Sequence, residues 1–79
     1  MTGHDRAPFV PDRFVYEQVA DRLAERIRSG EFGGTGKLPG ERELAGQYGT
    51  GVKAVRHARQ ELMRRGLVVT VPGKGTFTT

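Results

Sequence analysis

The chain has 79 residues, no cysteine, and thirteen Lys and Arg against nine Asp and Glu, for a net charge of +4. A chain this short allows one domain burying about 60% of the surface that its unfolded form exposes, which leaves little room for an enzyme pocket. Without thiols, neither a disulfide framework nor a thiolate metal site can prop up the fold. No run approaches the roughly 20 apolar residues of a membrane span, and no basic and then apolar leader opens the sequence.

Residues 1–11 mix Gly, Pro and charge without period and read as a flexible arm, with residues 12–79 as the folded domain. From Asp12 or Arg13 the pattern turns helical. Tyr16, Val19, Ala20, Leu23 and Ile27 recur at helical spacing, while Glu17, Asp21, Arg22, Glu25, Arg26 and Arg28 fill the other side. That polar side is expected to be solvated, with few ion pairs, and the helix to end at Ser29-Gly30. Gly33, Gly34 and Gly36 make the next segment a loose connector. It is no Walker loop, because Glu31 stands where the first Gly belongs and Leu38 where Ser or Thr belongs.

Pro39 forces Leu38 into an extended conformation, Gly40 occupies an N-cap position, and Glu41 and Glu43 suit the positive first turn of a helix. A short helix from Glu41 to Tyr48 follows, with Leu44, Ala45 and Tyr48 inward and Gly49 as its left-handed cap. After Thr50-Gly51 a third helix runs from about Val52 to Arg65 and is stopped by Gly66. Two helices joined by a tight Gly-bearing turn make a helix-turn-helix. Leu67 to Val71, Pro72-Gly73-Lys74-Gly75 and Thr76 to Thr79 then read as strand, tight basic turn and returning strand. The expected fold is mainly α with a small β-hairpin wing: a winged helix-turn-helix of three helices and a two- or three-stranded antiparallel sheet. Phe77 is expected to pin the wing against Leu67 and the helices.

Charge follows this division. Through Gly49 seven basic residues meet eight acidic ones, whereas from Thr50 onward Lys53, Arg56, Arg59, Arg64, Arg65 and Lys74 meet Glu61 alone. Such a concentration is the footprint of a polyanion partner. On the third helix Val55, Ala58 and Leu62 share one arc, and Lys53, Arg56, His57, Gln60 and Arg64 share the opposite one. Arg and Lys can bond guanine edges or phosphates, Gln can read adenine, and Gly51 with the helix N-terminus can offer backbone N–H groups to a phosphate. His57 reads as a backbone contact or a solvated side chain. An ordinary solvated face is the alternative for the whole arc.

Leu38-Pro39-Gly40-Glu41-Arg42-Glu43-Leu44-Ala45, Tyr48-Gly49, Val55-Arg56, Gly66-Leu67-Val68 and Gly73-Lys74-Gly75-Thr76-Phe77 resemble the DNA-binding domain of the GntR family of bacterial transcription regulators. Tyr16 to Ala20 and Ile27 to Gly30 match its first helix, so the resemblance covers about Val15 to Thr78. It implies that Arg42 contacts DNA at the start of the second helix and that Arg56 reads a guanine. It also implies that Gly73, Lys74 and Gly75 enter the minor groove or grip its phosphates, with Thr76 just behind. For Arg42, a plain surface pairing with Glu41 or Glu43 is the alternative. Gly40 and Gly51 replace the family's usual Ser, Val52 stands where Arg is common, and Arg59 stands where a core Leu is common. An altered operator is therefore expected where the start of the third helix reads bases, with Lys53 available to supply charge.

The resemblance further implies a cytoplasmic regulator, a repressor binding double-stranded DNA at a short inverted repeat, with two subunits per operator and weak or no dimer when free. No enzyme activity, cofactor or metal is expected. A winged helix serving protein interaction or RNA binding is the rival. A larger C-terminal sensing domain is usual in the family, so the sequence corresponds either to an excised DNA-binding domain or to a stand-alone regulator without effector control.

Overall fold

A computed structural model describes residues 8–79; residues 1–7 of the expected arm lie outside the described part. Three helices, α1 (Val15–Arg28), α2 (Glu41–Tyr48) and α3 (Val52–Arg64), precede two strands, β1 (Val68–Val71) and β2 (Gly75–Thr78). The chain orders them as the sequence predicts, with one shift: α1 starts at Val15 rather than at Asp12 or Arg13, and Phe14 is its N-cap with no side-chain cap bond. α2 is preceded by Gly40 as its N-cap, also without a side-chain cap bond, and is stopped by Gly49 as its C-cap, whose φ of 66° is the left-handed conformation that only glycine adopts freely.

Val19, Ala20, Leu23 and Ala24 of α1 meet Leu44, Ala45 and Tyr48 of α2 and Val55, Ala58 and Leu62 of α3, with Leu38 and Val68 closing the cluster. The alanines let the helices approach closely, so a small chain still forms a continuous apolar centre. The strands pair antiparallel from Val68 opposite Thr78 to Val71 opposite Gly75. The segment before α2 is stitched to β2 through Leu38 N–H to Thr76 O at 2.8 Å, Thr78 N–H to Gly36 O at 2.6 Å, and a bridge between Lys37 and Phe77. The sheet is thus two strands with a single bridging residue in place of a third strand.

Three expectations need correction. Arg26, assigned to the polar side of α1, is buried, and its guanidinium donates to both carboxylate oxygens of Glu31 (2.9 and 2.7 Å), to Gln47 and to the Tyr48 hydroxyl. The polar side of α1 is also better paired than expected: Asp21 accepts from Arg13 at 2.8 Å and lies 3.0 Å from Arg65 of the α3 end. Chain folding brings Arg65 there, a partner that helical spacing within α1 cannot reveal. Phe77 is only half-buried and does not join the residues packed on the apolar cluster. Backbone bonds to Gly36 and Leu38 anchor β2 instead.

Part of the segment read as an arm is fastened. The buried Gln18 side chain accepts from Val10 N–H and donates to Val10 O and Arg13 O, while Arg22 lies over the Phe9 ring at 4.5 Å. Residues 8–13 therefore pack along α1.

Candidate nucleic-acid interface

α3 buries Val55, Ala58 and Leu62, and the same helical period turns Lys53, Arg56, His57 and Gln60 outward. These four line one shallow depression of about 200 Å³. Its edge is aromatic, because Tyr16 of α1 lies against His57 with ring centroids 4.5 Å apart and Phe14 stacks on Tyr16 at 5.8 Å. Gly51 precedes the helix as an exposed N-cap in extended conformation and makes no side-chain cap bond to the first N–H groups of α3.

The wing tip is Pro72-Gly73-Lys74, closed by Lys74 N–H to Val71 O at 2.9 Å. Pro72 followed by Gly73 at φ 76° is the pattern of a type II turn. At Gly75 a side chain would meet Lys37 Cε at 2.8 Å, so the glycine lets Lys37 lie against the base of the wing. Lys37, Lys74, Gly75 and Thr76 line a cleft of about 340 Å³ together with Gly40, Glu41 and Arg59, over a floor that includes Leu38 and Leu44. The wing and the start of α2 thus frame one basic-rimmed cleft beside the exposed face of α3.

Arg42 is exposed and makes no ion pair among the described residues, so neither Glu41 nor Glu43 holds it. Glu41 turns instead to α3. Its carboxylate accepts from Arg56 Nε at 3.2 Å and Nη2 at 2.9 Å, and lies 2.9 Å from Arg59 Nη1. The Arg56 hydrogen bonds, helped by the charges of Arg59 and Arg56, hold this carboxyl below its ordinary range despite an opposing desolvation. The polar arc of α3 carries no acid of its own, yet the fold lends it one from α2. Arg64 and Arg65 share Glu61, with Arg64 Nη2 2.6 Å and Arg65 Nε 2.9 Å from Oε2. Arg42, Lys53, Gln60 and Lys74 are exposed.

The structure therefore brings Lys53, Arg56, His57 and Gln60 together on α3, with Gly51 at its entrance, and places Gly73, Lys74, Gly75 and Thr76 at the wing. Sequence reasoning passed over three neighbours: Tyr16, Lys37 and Glu41. Their contacts join residues far apart in the chain, or helices whose crossing no periodicity discloses. The only trace in the sequence was the first-turn position of Glu41.

Residues 15–78 match the family described as bacterial regulatory proteins, gntR family. The chain belongs to the GntR family. Among relatives, the chain is 37% identical over 65 residues to the HTH-type transcriptional repressor NagR of Bacillus subtilis, covering 82% of this chain and 27% of that protein. It is likewise 37% identical over 62 residues to the histidine utilization repressor of Klebsiella aerogenes, covering 78% of this chain and 26% of that protein. The chain thus spans about a quarter of the length of the curated relatives it matches. The crystal structure of the AraR DNA-binding domain in complex with operator ORX1 superposes with a TM-score of 0.77 at 31% identity, over 92% of this chain and 89% of that one. A GntR family transcriptional regulator from Listeria monocytogenes gives a TM-score of 0.80 at 27% identity, over 90% of this chain and 62% of that one. These likenesses establish the GntR winged helix-turn-helix, and the relatives are transcription regulators rather than enzymes. No helix among the described residues is long and apolar enough to cross a membrane.

Proposed function

We propose that this chain binds duplex DNA in a sequence-specific manner and represses transcription by occupying a short inverted-repeat operator in the bacterial cytoplasm. The observation that carries this reading is the union of the donor-rich face of α3 with the basic wing cleft, in a fold shared with a domain crystallised on operator DNA. Lys53, Arg56 and Gln60 would read base edges in the major groove, and Arg42, the α3 N-terminus around Gly51, His57 and the Gly73 to Thr76 wing would position the backbone. The repressor names of the relatives support repression.

Two subunits would sit side by side on the operator, each contacting one half-site, with the shared duplex supplying the effective concentration that free protein lacks. Selection of bound duplexes from a random pool tests the reading. A motif with inverted symmetry and two subunits per duplex is the expected result. Equal retention of single-stranded or random competitor in a gel shift would contradict sequence-specific duplex binding and favour an RNA-binding or protein-interaction module.

A further inference from the structure

We propose that Glu41 is a positioning residue that presets Arg56 for one base pair, an inference that rests on the reading of Arg56 as a base contact. A guanidinium has five N–H donors on two usable edges. Glu41 occupies the side edge, through Nε at 3.2 Å and Nη2 at 2.9 Å. The end edge, made of one N–H from each terminal nitrogen, stays open. That is the edge whose two parallel donors match the O6 and N7 acceptors of guanine.

Holding one edge aims the other. Arg56 is 54% exposed at its side chain, so without a partner it would sample many rotamers and lose that freedom on meeting a base. Glu41 can act as a fixed backstop because it is itself fixed: it opens α2, its side chain is only 24% exposed, and Arg59 Nη1 approaches its Oε2 at 2.9 Å. The Nε of Arg59 is buried without a hydrogen-bond partner. Its visible engagement is with Glu41. The pair of arginines around one carboxylate also leaves a net positive charge facing outward, so the backstop does not repel a polyanion as an isolated acid on this face would.

A carboxylate beside DNA ordinarily weakens binding to every sequence alike, whereas a backstop affects one base pair. Random-pool selection with the 79-residue chain, followed by competition anisotropy on the selected duplex and on duplexes changed at single positions, separates the two. Wild type, Arg56→Ala, Glu41→Ala and Glu41→Gln are compared, with thermal midpoints confirming that each is folded. Arg56→Ala should erase preference at one pair per half-site. Glu41→Ala should lower discrimination at that same pair by about tenfold, within the range a bidentate guanine contact provides, with affinity for random duplex unchanged or raised. Glu41→Gln, which keeps one acceptor, should fall between. Wild-type discrimination in Glu41→Ala at the pair that Arg56→Ala erases would overturn the inference, as would a sharper preference, which would mean that Glu41 withholds Arg56. If Arg56→Ala leaves every base preference intact, the base-contact reading fails and this inference fails with it.

Discussion

Arg26 shows how one side chain can join three parts of a small domain. It leaves α1 near its C-terminal end, meets Glu31 in the connector, and reaches Gln47 and Tyr48 of α2, with the Phe32 ring 5.1 Å from its Cζ. Removing it takes one donor from the Tyr48 hydroxyl and the paired guanidinium from Glu31. Loss of one partner from a fully buried pair costs about 3–5 kcal/mol, but Glu31 is 42% exposed and can be rehydrated. Arg26→Ala should therefore destabilise the domain by roughly 2–3 kcal/mol. A urea midpoint unchanged from wild type would show that the network holds nothing together. Helical periodicity placed Arg26 outside because a charged residue ordinarily belongs there. The partners that let it turn inward lie 5 to 22 residues away in the chain, and no local pattern contains them.

At the scale of elements, the wing behaves as an edge fastened by its backbone. Phe77 pairs with Val69 across the sheet, bridges to Lys37, and stands apart from the apolar cluster. Truncating it should cost about 1–2 kcal/mol, below the roughly 3–5 typical of a buried Phe, since the ring stays partly exposed and stands apart from the apolar cluster, where no enclosed cavity would form. A loss above about 3 kcal/mol in denaturant titration would show that the ring carries more of the packing than its burial indicates. Lys74 at the tip has a different role. Lys74→Ala should leave stability unchanged, weaken binding to all duplexes nearly alike, and reduce the slope of log K against log salt by about one per subunit, as for one lost phosphate contact. An unchanged slope would remove Lys74 from the interface. The three helices, the cap at Gly49 and the basic turn were legible in the sequence, because each is written in local spacing and in residues with few conformational options. The bridging of Lys37 to Phe77 and the clasp of Glu41 on Arg56 were not, because they depend on how those elements cross.

For the whole molecule, Asp21 and Glu41 tie α1 and α2 to α3 while Glu61 braces the end of α3 itself, and the titration of these carboxyls gives stability a defined dependence on pH. Hydrogen bonds from Arg64 and Arg65 hold the Glu61 carboxyl down from 4.5 to about 2. Burial pushes Asp21 up, but the hydrogen bonds of Arg13 and Arg65 outweigh it and leave it lowered, and Glu41 is lowered through Arg56. A carboxyl lowered on folding stabilises above its unfolded value and loses that contribution as pH falls through the folded one. The thermal midpoint should be steady above about pH 5 and fall toward about pH 2, and Glu61→Gln should flatten part of that decline; a profile identical to wild type would deny Glu61 its share. The arrangement as a whole stands or falls on which surface meets DNA. Amide spectra of the nitrogen-15-labelled chain, titrated with the selected duplex, locate that surface directly. The largest shifts are expected at Gly51, Lys53, Arg56, His57 and Gln60 of α3 and at Gly73 to Thr76 of the wing, with the exposed Glu25 and Arg28 of α1 unmoved. Shifts centred on α1, or none at α3 and the wing with duplex at saturation, would contradict it.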